Sequence, residues 1–174
     1  KRYKCPIQIS AGCAIYPKDG LTYNELNKYA DYSLQYAKDN GKNKLTFFSN
    51  YILEHKMRSL EILKYIRESV SDDYRGFELN YQPQVEVSSK QIKGVEALLR
   101  WQCQELGKVS PVEFIPILEE SGLIIPVGLW VIKKAIQACS KWVVYDPEFS
   151  VSINVSALQM LNSDFVEDVK KVLK

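Results

Sequence analysis

Two neighbouring runs of alternation limit what this chain can fold into more than any other feature. In FELNYQPQVEV, residues 77–87, Phe77, Leu79, Tyr81, Pro83 and Val85 fall on one face of a strand, and Glu78, Asn80, Gln82, Gln84 and Glu86 fall on the other. The turn residues SSK lead into QIKGVEALLRW, where Val95, Ala97, Leu99 and Trp101 share an apolar face while Glu96, Leu98 and Arg100 share the opposite one. This row of acid, leucine and base is open to two readings. It is either a same-face ion pair on a solvated sheet, worth at most about 1 kcal/mol, or a site that holds a metal and a phosphate.

The flanking sequence supplies the other elements. CPIQISAGCAIYP, residues 5–17, reads as a strand closed by the turn KDG. Thr22 with Glu25 three residues on forms a capping box, and Leu26, Ala30, Ser33 or Leu34, and Ala37 continue at helical spacing to Gly41. KLTFFS at 44–49 is a second short strand, and a helical stripe through Ile52 or Leu53, Met57, Leu60, Leu63 or Lys64, and Ile66 or Val70 predicts a connecting helix. SDDYRG at 71–76 ends it.

Beyond the alternating pair, Ser110, Pro111 and Glu113 open a helix that ends at Gly122 and carries Pro116 inside it, which should bend the helix or leave its first turns short. A longer helix follows from Val127 to about Trp142. FSVSINVSALQM at 149–160 reads as a strand with Asn154 on its polar face, and a last helix is expected to be capped by Asn162 or Ser163. The layout is α/β with a largely parallel sheet, behind an α+β N-terminal part.

Composition narrows the chemistry. A net charge of +2 gives no broad basic field and argues against a nucleic-acid polymer as partner. The run GLIIPVGLWVI at 122–132 is too short to span a bilayer and is interrupted by Pro126, so no membrane segment is expected. Cys5, Cys13, Cys103 and Cys139 are scattered without a C-x-x-C pair and read as free thiols of a reducing cytoplasm. His55 is the single histidine, so a bound metal is expected to have oxygen ligands, which favours magnesium, manganese or calcium. The opening KRYKCPIQIS has neither an initiator methionine nor a leader and looks cut from a longer protein.

In order and spacing, YQPQV, GVEALLRW, SPVEFIPILEESGLI and INVSALQ resemble the EAL family of cyclic di-GMP phosphodiesterases. ISAGCAIYPKDG with ADYSLQYAKDNGKNKLTFFS resembles the C-terminal part of a GGDEF diguanylate cyclase domain, a common tandem partner. The resemblance divides the chain into a partial GGDEF domain at 1–49, a linker helix at 50–75 and the N-terminal part of an EAL domain at 76–174. It implies that this last part holds the first strands and helices of a modified TIM barrel.

The same resemblance implies the site. Glu96 corresponds to the signature glutamate that binds a catalytic divalent ion, magnesium or manganese, and Asn154 to an asparagine that also ligates it. Leu98, Arg100 and Gln82 correspond to contacts with cyclic di-GMP, and an arginine fork suits a phosphate. Lys38 and Lys42 stand where the cyclase family contacts nucleotide phosphates, Lys42 replacing a more usual arginine. Glu119 and Glu120 read as solvated.

The parent is thereby expected to be a cytoplasmic hydrolase that opens cyclic di-GMP to the linear dinucleotide. The 174-residue chain itself, with about half of each site, is expected to be inactive. The alternative is a silent cyclic di-GMP receptor or a scaffold. An open sheet edge after the Asn154 strand further predicts a homodimer or an exchanged dimer.

Overall fold

The computed structural model describes residues 7–173. Cys5 and the start of the first expected strand lie outside these. Residues up to Leu60 form one compact unit and residues from Glu61 onward a second.

In the first unit, β1 (Ala11–Cys13) pairs in parallel with β2 (Leu45–Phe47), and α1 (Tyr23–Asp39) connects them. Helix α1 starts where the sequence places it. Thr22 Oγ1 accepts from the Glu25 amide, and Glu25 Oε2 accepts at 3.0 Å from the amides of both Leu21 and Thr22. The helix buries Ser33 and Ala37, and Tyr29 stacks on the buried Phe48 with ring centroids 4.3 Å apart. Gly12 allows β1 to approach α1: a Cβ there would stand 2.0 Å from the Ala30 carbonyl oxygen.

The Leu21 amide first, then the Thr22 hydroxyl and amide, hold the Glu25 carboxyl below its usual pKa. A carboxyl depressed in the folded state stabilises above its unfolded pKa, and that contribution disappears as pH falls through the folded value. An acid titration followed by NMR at the Leu21 and Thr22 amides should therefore have its midpoint below the ordinary glutamate value. A midpoint at or above that value would remove the cap's electrostatic part.

Helix α2 (Asn50–Ser71) contains the Leu60/Glu61 boundary. The division falls inside the helix because its last turns belong to the second core: Ile62 and Ile66 are buried there with Phe77, Trp101, Val109, Phe114, Ile117, Leu118, Ile124 and Val127. Ser69 is buried with them and accepts from the Trp101 indole nitrogen at 3.0 Å. The hydrogen bond satisfies two polar groups that burial would otherwise leave without water.

The second unit's sheet runs β3 (Phe77–Val85), β4 (Ile92–Cys103) and β5 (Gly107–Val109), with β6 (Ser150–Ile153) beside β4. The faces follow the alternation: Val95, Ala97 and Trp101 are buried, whereas Glu96, Leu98 and Arg100 are half-buried on the other face. Helices α3 (Pro111–Glu120) and α4 (Ile124–Trp142) pack against the strands.

Several expectations need correction. The sheet is mixed: β3 and β5 are antiparallel to β4, and only β6 runs parallel to it. The two antiparallel pairs are made by short connections, which a parallel crossover cannot use. Helix α3 runs through Pro116 from Pro111 to Glu120; Val112, four residues before the proline, is 85% exposed, so solvent is at hand for the carbonyl that loses its partner. Ser110 is the N-cap but makes no side-chain capping bond.

Helix α4 begins at Ile124, since Pro126 is tolerated in a first turn. The strand expected over 149–160 stops at Ile153 and is followed by α5 (Ala157–Met160); α6 (Phe165–Val172) has Asp164 at its N-cap position without a side-chain capping bond, and Asn162 Oδ1 accepts from the Asp164 amide at 3.2 Å just ahead of it.

Candidate functional site

The half-buried face of β4 gathers the residues singled out in the sequence. Asn154 follows directly on β6, and the parallel register sets Glu96 beside Ser152 and Ala97 beside Ile153. This carries Asn154 to Glu96 across 58 residues of sequence: Asn154 Nδ2 donates to Glu96 Oε1 at 2.7 Å. On the other flank, the antiparallel register sets Gln82 directly opposite Glu96 and Asn80 opposite Leu98. Glu96 therefore lies between an amide on each side, with Gln82 and Asn154 more exposed than itself.

Leu98 and Arg100 continue along the same face. The ion-pair reading of this row fails on distance. Four residues of strand span roughly 13 Å, beyond the reach of a contact pair, and among the described residues no ion pair joins Glu96 to Arg100. Arg100 stands opposite Glu78 in the register and donates from Nη1 to the Leu99 carbonyl at 2.8 Å.

Lys38 and Lys42 belong to the first unit. Lys38 is exposed in the last turn of α1, and Lys42 lies just beyond it in the left-handed region at φ +56°.

The loop that carries Asn154 has supports that the residue-by-residue reading passed over. Ser156 and Gln159 form a capping box at α5, with the Ser156 amide donating to Gln159 Oε1 at 3.2 Å. The signal was present in SALQ, a serine followed three residues later by glutamine. Glu119 is half-buried, not solvated, and its Oε1 accepts from Ser156 Oγ at 2.6 Å.

Chemically, the cluster offers hard oxygen donors. With Nδ2 engaged by Glu96 Oε1, the Asn154 carbonyl oxygen and Glu96 Oε2 remain as ligand atoms. Such a pair fits a magnesium- or manganese-type ion and not a thiolate-bound one. Among the described residues no cluster of three or more His, Cys, Asp or Glu forms. Glu96 and Asn154 by themselves would offer a divalent ion two oxygen donors.

Comparison with known proteins shows the family. The EAL domain family model matches residues 65–174, and the chain belongs to the EAL domain family. Among curated relatives, it is 34% identical over 173 residues to the bifunctional diguanylate cyclase/cyclic di-GMP phosphodiesterase MucR of Pseudomonas aeruginosa, covering 99% of this chain and 25% of MucR. It is 40% identical over 157 residues to the biofilm architecture maintenance protein MbaA of Vibrio cholerae, covering 89% of this chain and 20% of MbaA.

A solved structure of the PaMucR phosphodiesterase in complex with c-di-GMP superposes with a TM-score of 0.60 at 32% identity, over 65% of this chain and 45% of that one. The chain thus spans a quarter or less of these two curated relatives. Among the described residues no helix is long and apolar enough to cross a membrane.

Proposed function

We propose that the protein containing this chain hydrolyses cyclic di-GMP to the linear dinucleotide at the Glu96 face of β4, with magnesium or manganese held in part by Glu96 and Asn154. The observation that carries the reading is the 2.7 Å contact between Asn154 and Glu96, with Gln82 across from Glu96 in the register. Membership of the EAL domain family and the c-di-GMP complex of the PaMucR phosphodiesterase support the choice of substrate.

A bound divalent ion would supply charge neutralisation and an activated water. The chain's own residues do the rest. Glu96 brings negative charge and Asn154 a neutral carbonyl, fixed relative to each other by their hydrogen bond. Arg100 offers a planar fork to a phosphate oxygen. Leu98 gives the base or ribose an apolar contact, and Gln82 offers amide hydrogen bonds beside Glu96.

For the first unit we extend the proposal to the end of a GGDEF domain, in which Lys38 and Lys42 contact nucleotide phosphate. The match to MucR supports this, since it covers 99% of this chain and that relative's name includes a cyclase.

The deciding measurement is turnover of cyclic di-GMP by the intact protein with manganese, followed by chromatography of the linear product. The expected result is hydrolysis that chelation abolishes. Binding without turnover would assign a receptor, and absence of both would overturn the reading. The 174-residue polypeptide alone is expected not to turn the substrate over, because Glu96 and Asn154 do not complete a two-metal shell.

A further inference from the structure

We propose that Glu119 is a positioning residue that sets Asn154 through Ser156. The inference rests on Asn154 and Glu96 as the metal-holding pair. Asn154 lies in the short segment between β6 and α5, and a loop of that kind holds a side chain in place only if neighbouring elements fix it.

Three elements do so. Strand β6 enters from the sheet in register with β4. Helix α4 meets Gln159, which is 3% exposed; a Cβ at Gly128 would stand 2.0 Å from Gln159 Nε2, so the side chain of the capping box packs directly on the α4 backbone. Helix α3 supplies Glu119.

The α3 contact is the directional one. Phe114, Ile117 and Leu118 bury α3 in the core, so Glu119 projects from a fixed helix. An ionised carboxylate only accepts hydrogen bonds, so the Ser156 hydroxyl proton must point at Glu119 Oε1, 2.6 Å away. The hydroxyl oxygen is then free to accept from the Leu158 amide at 3.3 Å, which closes the first turn of α5. Glu119 therefore fixes the rotor of Ser156, two residues from the side chain that meets Glu96. Groups that orient a metal ligand in this way change affinity by about 10- to 100-fold when removed.

The proposal separates position from charge. A glutamine at 119 keeps an oxygen that can accept from Ser156, whereas an alanine does not. In the 174-residue chain, labelled with nitrogen-15, the Asn154 side-chain amide reports its bond to Glu96 directly. Glu119→Ala and Ser156→Ala should each speed its hydrogen exchange about tenfold or more, and raise the manganese concentration that half-broadens it about 10-fold or more. Glu119→Gln should stay within about threefold of the parent chain in both.

Tryptophan fluorescence through urea unfolding checks that each variant is folded, and Ser156→Ala, which deletes one oxygen, serves if Glu119→Ala is not. An unchanged Asn154 amide in Glu119→Ala, or in Ser156→Ala where that variant serves, overturns the proposal. So does a glutamine variant as impaired as the alanine one, which would make Glu119 an electrostatic element and not a positioning one. If manganese fails to broaden the amide even in the parent chain, the metal reading falls, and the exchange rates by themselves still decide the positioning role.

Discussion

Replacing Glu96 with glutamine is expected to abolish phosphodiesterase turnover in the intact protein while leaving the fold in place. Glutamine has the shape of glutamate, and its Oε1 can still accept from Asn154 Nδ2, so the pair that joins β4 to the β6 loop survives. What disappears is the negative charge offered to a divalent ion. Loss of the several kcal/mol that a metal supplies to charge stabilisation corresponds to a fall in kcat of about a thousandfold or more. The unfolding free energy from urea titration should stay within about 0.5 kcal/mol of the parent, as for other substitutions that break no packing. A variant that keeps most of its turnover would show that Glu96 holds no catalytic ion.

The second large effect is on stability. Trp101 is 1% exposed and lies within 6.0 Å, centroid to centroid, of both Phe77 and Phe114. Its indole nitrogen donates to the buried Ser69. Trp101→Ala removes the ring, leaves a cavity and strands the Ser69 hydroxyl, for an expected loss of about 4 kcal/mol from the second unit.

Trp101, Trp130 and Trp142 all lie in residues 61–174, so tryptophan fluorescence reports that unit without a signal from the first. The remaining two indoles should show a lowered urea midpoint with little change in slope. A loss below about 1 kcal/mol would mean that the core closes over the gap.

How much of this the sequence disclosed follows a physical division. Strand alternation separated Val95, Ala97 and Trp101 from Glu96, Leu98 and Arg100, because the period of two is local. The Thr22–Glu25 cap was legible for the same reason: its partners are three residues apart.

Pairing across long separations was not legible. Nothing between residues 104 and 149 states that β6 lies parallel beside β4, yet this alone brings Asn154 to Glu96. Glu119 looked solvated because its partner, Ser156, is 37 residues away. Helix α5 was hidden in an apparent strand, since a four-residue helix has too little periodicity to outweigh the alternation before it. The roles of Glu96, Asn154, Leu98, Arg100 and Gln82 came from the family resemblance, and the geometry now supplies the arrangement in which they can be tested.

The register of the β3–β4 hairpin shifts between Gln84 and Val85, so that Gln84 faces Gly94 while Val85 faces Ile92. A bulge of this kind takes up a change in strand length locally. The pairs nearer the site, Gln82 with Glu96 and Asn80 with Leu98, lie on its far side from the turn, and the turn itself is solvent-exposed, with Val87 at 93%. Residues 86–91 are thus a natural port for engineering: a fluorescent reporter or affinity tag spliced there would sit on the same hairpin as Glu96 yet be mechanically insulated from it.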